Sequence, residues 1–277
     1  MIRKARRSLV VAATALTLGG ATACGVSRAQ EAQIGADYSA QINQQLPLVQ
    51  DAAVHQYINN LGESIARHGK REWDYTFYVV NADVINAFAL PGGYVYINRG
   101  VIERSDNLAE LAGVIAHEIG HVEERHGAEQ LERAQNANLG INMAYILLGR
   151  APGQLEQAAI QVGGSAIFAG YSRDAETEAD AVAVRLLARS GIDPTGLTTF
   201  FKELLNENQR SPSTVEQWFS THPLTEERIA NTRQEIAELG LTPQQLSRMQ
   251  VTSQGYTDMK ARLRQYPAPP PEYRANN

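Results

Sequence analysis

Ala116-His117-Glu118-Ile119-Gly120-His121, residues 116–121, is the stretch on which the reading of this chain turns. Two histidines four apart, with a glutamate beside the first, are either a metal site with its catalytic base or one turn of a solvated helix. At one residue per 100°, Leu108, Leu111, Ile115, Ile119 and Val122 form an apolar stripe, and His117 and His121 lie roughly opposite. The histidines are therefore not core residues by default. Residues four apart project from one helix face, so both imidazoles can reach a single ion while Glu118 points to the side. A zinc ion needs three protein ligands and an open position, and lowers the pKa of a water there to about 7. Glu118 would take the proton as that water attacks a polarised amide carbonyl.

The third ligand has to come from elsewhere in the chain. A metzincin continuation demands glycine and histidine where this chain has Glu124 and Gly127, which excludes that subclass. On a continued helix His126 falls on the apolar stripe, with a structural role. The better candidate is Ser172-Arg173-Asp174-Ala175-Glu176-Thr177-Glu178-Ala179-Asp180. Glu176 and Asp180 stand one turn apart on one face, so one carboxylate can ligate while the other accepts an N–H from a ligand histidine. Read alone, the same acidic face is ordinary solvated surface.

Around these segments the chain reads as mainly helical with a small sheet before the motif. Val54, Tyr57, Ile58, Leu61 and Ile65 have helical spacing. Residues 75–80 are aromatic and β-branched and predict a strand; Tyr94 to Ile97 predict another after the Pro91-Gly92-Gly93 turn. Asn107 and Glu110 have the spacing of a capping box that starts the motif helix. A helix from about Asp174 to Arg189 stops at Gly191 and Pro194. The Gly/Ala-rich stretch 138–170 reads as a lid, a membrane-touching hairpin or plain packing, with packing favoured. No internal repeat is legible.

The first residues have the layout of a secretory signal: a basic region at Arg3, Lys4, Arg6 and Arg7, an apolar run from Leu9 to Leu18, and small residues to Ala23. The only cysteine, Cys24, follows directly, so no intramolecular disulfide can form. Its position resembles the lipid-modified cysteine of bacterial lipoproteins, although the same Ala-Thr-Ala suits ordinary signal peptidase. Gly25 after it resembles lipoproteins sent to the outer membrane. Setting aside residues 1–23, with four bases and no acid, takes the net charge from −5 to −9. So acidic a chain lacks the electrostatic footprint of a nucleic-acid binder. The expected organisation is a signal peptide over 1–23, a tether and the start of a first helix over 24–45, one domain over 46–262 and a Pro-rich disordered tail over 263–277.

The motifs together resemble the zinc metallopeptidase family of HtpX and the CAAX prenyl protease, in particular periplasmic members such as the beta-barrel assembly-enhancing protease. His117-Glu118-x-x-His121 and Glu176-x-x-x-Asp180 carry the likeness, with residues 86–94 and Arg99-Gly100 before them and Thr221-His222-Pro223 and Arg228 after. The resemblance implies an α+β, zincin-like fold and a peptidase domain holding one Zn2+. Its ligands would be His117, His121 and Glu176, with Glu118 as general base and Asp180 bonded to a ligand histidine. His222 and Arg228 would lie by the site and stabilise the oxyanion, or His222 would fill the fourth zinc position and hold the enzyme off. Tyr94, Val95 and Tyr96 would belong to the edge strand that pairs with an extended substrate. The implied role is a zinc endopeptidase of the bacterial envelope, periplasmic and anchored to the outer membrane through a lipid on Cys24. Its substrates would be unfolded or misfolded envelope proteins, with the outer-membrane assembly machinery as a partner. The competing class is a periplasmic chaperone or assembly factor whose metal site is silenced.

Overall fold

The computed structural model describes residues 26–137 and 170–275. Residues 1–25, which include the expected signal sequence and Cys24, and residues 138–169 lie outside the described residues, as do the expectations attached to them. Among the described residues no helix is long and apolar enough to cross a membrane.

The fold is built around the motif helix. Helix α1 (Arg28–Ile42) and helix α2 (Ala52–Ala66) precede strands β1 (Thr76–Val80), β2 (Ala87–Leu90) and β3 (Tyr94–Asn98). A short α3 (Arg99–Arg104) leads into α4 (Leu108–Glu123), which carries both motif histidines, and α5 (His126–Ala137) follows. After the gap come α6 (Arg173–Arg189), α7 (Thr195–Arg210), α8 (Pro212–Thr221), α9 (Glu226–Glu238), the single turn α10 (Pro243–Leu246) and α11 (Gln254–Gln265). This is the mainly helical α+β arrangement with a small preceding sheet that the sequence predicts.

Helix α4 has no solvent face at all: each of its 16 residues is buried. Its apolar stripe enters a core with Val54, Ile58, Phe77, Leu187, Phe200 and Trp218, while α6 covers the histidine side. A glycine makes that second contact close. A Cβ at Gly120 would stand 2.7 Å from the carbonyl oxygen of Ala179, so only glycine lets α4 and α6 approach at this level. Asn107 starts α4 by accepting from the Glu110 N–H at 3.1 Å, but the return bond runs from the Asp106 N–H to Glu110 at 2.7 Å. The cap expected from the sequence is thus shared between two residues.

The sheet has the order β1-β3-β2, with β1 parallel and β2 antiparallel to β3. Residues 94–98 are therefore the central strand, and Tyr94, Val95 and Tyr96 are not an edge that can receive a substrate. The edge without a paired strand among the described residues is β2, whose four residues are buried and which is joined to β3 by a tight turn at Gly92 (φ 82°) and Gly93 (φ 99°). The Asn98 N–H bonds the Asn86 carbonyl, and this register turns the polar groups of Ala87 and Ala89 away from β3.

The tail also departs from expectation. Instead of being disordered, it crosses the back of the sheet: Arg99 Nη1 donates to the Pro267 carbonyl at 3.0 Å, and the Asp83 N–H to the Tyr273 carbonyl at 2.9 Å. The Tyr273 hydroxyl donates to the Gln45 carbonyl at 3.0 Å. Prolines lose little backbone entropy on ordering and leave their carbonyls free to accept, which suits them to this use.

Candidate metal centre

Four side chains from three helices converge on one buried point. Helix α4 brings His117 and His121, α6 brings Glu176, and the end of α8 brings His222; one donor atom from each lies within 4.8 Å of all the others. His117 Nε2 is 3.1 Å from His121 Nε2, His121 Nε2 is 3.3 Å from Glu176 Oε1, and His222 Nδ1 is 3.0 Å from Glu176 Oε1 and 3.4 Å from His117 Nε2. Donors about 2.0 to 2.1 Å from a tetrahedral zinc stand roughly 3.4 Å apart, so this set has the right size and chemistry for that ion.

The opposite edges of the rings are held from behind. His117 Nδ1 meets Asp180 Oδ1 at 2.9 Å, and Asp180 in turn accepts from Arg228 Nε at 2.6 Å, Arg228 Nη2 at 2.8 Å and Thr232 at 3.2 Å. Arg228 lies over the Phe201 ring and also contacts Glu176 with Nη1, so its donors are committed to the two carboxylates. Its Nη1 also donates to the Pro223 carbonyl at 3.2 Å, and its Nη2 lies 3.3 Å from His117 Nε2. Thr225, the cap of α9, places Arg228 in the first turn of that helix.

These pairings set the ionisation of the side chains at the centre. Burial acts to raise the Asp180 and Glu176 carboxyls, but the Arg228 charge and the histidine contacts outweigh it and hold both below the usual range. Burial acts to lower His117, yet its bonds to Asp180 and Glu176 prevail and bring it to about 9. His121 is held well below the usual histidine value, chiefly by burial. Glu118 differs from the other acids: burial raises it, and the nearby cations do not compensate.

Glu118 is fully buried, and among the described residues neither of its oxygens has a hydrogen-bond partner. The nearest histidine nitrogen is His222 Nε2, at 3.6 Å. A buried, unpartnered carboxylate beside four donors is costly unless something else binds there. His222 spans the centre and the sheet: while Nδ1 faces Glu176, Nε2 reaches the Ala87 carbonyl of the β2 edge at 3.3 Å. Between β2 and His121 is a crevice lined by Ala89, Leu90, Pro91 and Tyr171, of about 10 Å³, room for a single water.

Residues 48–236 match Peptidase family M48. The chain belongs to this family. It is 35% identical over 224 residues to the beta-barrel assembly-enhancing protease of Escherichia coli K12, a match covering 78% of this chain and 46% of that protein. It is 30% identical to the metalloprotease LoiP of the same strain, over 60% of this chain and 64% of that one, and 29% identical to the mitochondrial metalloendopeptidase OMA1 of Schizosaccharomyces pombe, over 63% and 50%. The chain spans about half the length of the beta-barrel assembly-enhancing proteases it matches.

In this M48 family member the expected residues His117, Glu118, His121, Glu176, Asp180, His222 and Arg228 all meet at one centre. Two side chains at that centre were not expected there. Tyr171 stacks on His121 with ring centroids 3.8 Å apart, and His126 reaches His121 Nδ1 at 2.9 Å. An aromatic just before a helix cap is too common a pattern to single out. The reading of His126 as an apolar-stripe residue fails because α4 ends before it.

Proposed function

We propose that this M48 peptidase is a zinc-dependent endopeptidase of the bacterial envelope that hydrolyses unfolded or stalled envelope proteins. The observation that carries the proposal is the unpartnered, fully buried Glu118 carboxylate beside His117, His121 and Glu176. A purely structural site needs no base. One zinc, held by His117, His121 and Glu176, would supply the Lewis acidity that polarises an amide carbonyl and makes water a competent nucleophile. Glu118, its pKa raised by burial, takes the proton of that water and returns it to the departing nitrogen. Asp180 and Arg228 keep His117 and Glu176 in place. An extended substrate pairs with β2 through the outward groups of Ala87 and Ala89, so recognition rests on main chain more than on side chains. The name beta-barrel assembly-enhancing protease supports the assembly machinery as partner, and the residues around Cys24 support an outer-membrane setting with a lipid there as anchor.

A second reading has an observation in its favour. With His222 Nδ1 among the donors the set numbers four, the closed arrangement of silenced or structural zinc sites. In the peptidase reading this is a resting state, in which His222 also caps the Ala87 carbonyl that a substrate strand would use. Casein cleavage by zinc-loaded wild type and His222→Ala separates the two. The peptidase reading expects cleavage that chelation abolishes and zinc restores, and a several-fold higher rate in His222→Ala. Stoichiometric zinc with no cleavage in either protein would hand the role to a chaperone or assembly factor.

A further inference from the structure

The helix bearing both ligand histidines ends two residues after His121, and it ends without glycine. Arg125 adopts φ 63°, the left-handed region that a residue with a side chain rarely enters; among the described residues it is the one non-glycine to do so. The conformation is held from a distance. Arg125 Nε donates to Glu31 Oε2 at 2.6 Å, and Glu31, on α1, is 1% exposed. On an uninterrupted helix His126 would lie about 140° round the axis from His121. The break at Arg125 swings it back onto the ligand instead.

The contact has a definite polarity. His121 Nε2 faces the other donors, at 3.1 Å from His117 Nε2 and 3.3 Å from Glu176 Oε1. With Nε2 left for the ion, the ring hydrogen sits on Nδ1 and is donated to His126 Nδ1 at 2.9 Å. His126 must then carry its own hydrogen on Nε2, and that atom meets Glu178 Oε2 at 3.1 Å. One tautomer of each ring satisfies the chain. His117 has the matching arrangement through Asp180.

We propose that His126 is a positioning residue of the metal centre, fixing the tautomer and ring angle of His121 from behind while Glu178 anchors it. The proposal rests on the zinc reading above. It also gives the centre two unlike supports, because Asp180 is buried whereas the Glu178 side chain is 63% exposed. Glu178 lies two residues beyond the ligand Glu176, so α6 serves both rings.

The test is zinc affinity by chelator competition on the full zinc-loaded chain, with thermal unfolding recorded in parallel. His126→Leu removes the acceptor at similar volume and is expected to weaken zinc about 10- to 100-fold, the usual loss for a ligand's hydrogen-bond partner. His126→Asn places an amide oxygen where Nδ1 stands and is expected to recover affinity to within about threefold of wild type. Glu178→Gln, at an exposed position that does not threaten folding, is expected to cost about threefold to tenfold. A merely structural His126 predicts that Asn and Leu bind zinc alike; that result, or wild-type affinity in Glu178→Gln, overturns the proposal even if the Leu variant fails to fold. Wild type that binds zinc and loses it in His117→Ala keeps the zinc reading whatever the His126 series does. Wild type without zinc overturns both.

Discussion

The α6 and α9 side of the centre and its β2 side are built on opposite plans. On the first, Asp180 accepts from His117, Arg228 and Thr232, and Arg228 is shared between Asp180 and Glu176. On the second, Glu118 has no hydrogen-bond partner among the described residues, and β2 turns the polar groups of Ala87 and Ala89 away from the sheet. The charges of the first, holding side are paired with one another; on the second, working side, His222 Nε2 meets the outward Ala87 carbonyl and the Glu118 oxygens have no partner among the described residues. Mutations on the two sides should therefore fail differently, in metal affinity and stability on one and in turnover on the other.

The largest effect on folding is expected on the holding side. Asp180→Leu strands the Arg228 guanidinium against a single remaining carboxylate, and chemical denaturation of the metal-free protein should show a loss of about 3 kcal/mol. That figure is at the low end for a broken buried pair because Glu176 still faces Arg228. An unchanged midpoint would mean the pair contributes nothing to folding.

Proton release gives the next effect. Below about pH 9 His117 carries a proton that it must lose to ligate, because Asp180 and Glu176 overcome the burial that would otherwise strip it. Zinc affinity should accordingly rise with pH, by about tenfold per unit, and level off above about 9. Calorimetry in buffers of different ionisation enthalpy should count close to one proton released per zinc. Affinity that stays flat from pH 6 to 8 would refute this assignment.

On the working side, Ala89→Pro removes an outward N–H without touching the β2 ladder to β3. Peptide cleavage should fall about tenfold, the loss expected for one main-chain bond in a desolvated groove, with zinc affinity unchanged. Equal cleavage would show that substrates do not pair with this edge. The smallest effect belongs to neither side: truncation after Tyr266 removes the Arg99 to Pro267 and Asp83 to Tyr273 bonds. It should lower stability by about 1 to 2 kcal/mol and leave the centre intact.

Much of the centre was legible because helical periodicity alone puts His117 with His121 and Glu176 with Asp180. What periodicity cannot express is the company a helix keeps. Every side of α4 is covered, so the face that looked solvated became the metal-binding interior. Strand β2 went unread because Ala87-Phe88-Ala89-Leu90 is short and lacks β-branched residues. Its position, and so the misassignment of the edge to Tyr94–Tyr96, depends on a strand order that the sequence does not carry. The turn at Arg125 was hidden for a similar reason: its support, Glu31, lies 94 residues earlier.

The most direct measurement is zinc content together with casein cleavage in the matched isosteres Glu118→Gln and Asp180→Asn. Glu118→Gln should keep one zinc and lose cleavage about 100- to 10,000-fold, since it deletes only the base. Asp180→Asn should bind zinc about 10- to 100-fold more weakly and regain most of its cleavage when zinc is saturating. A Glu118→Gln protein that cleaves normally, or that cannot hold zinc, would contradict the division between a holding side and a working side.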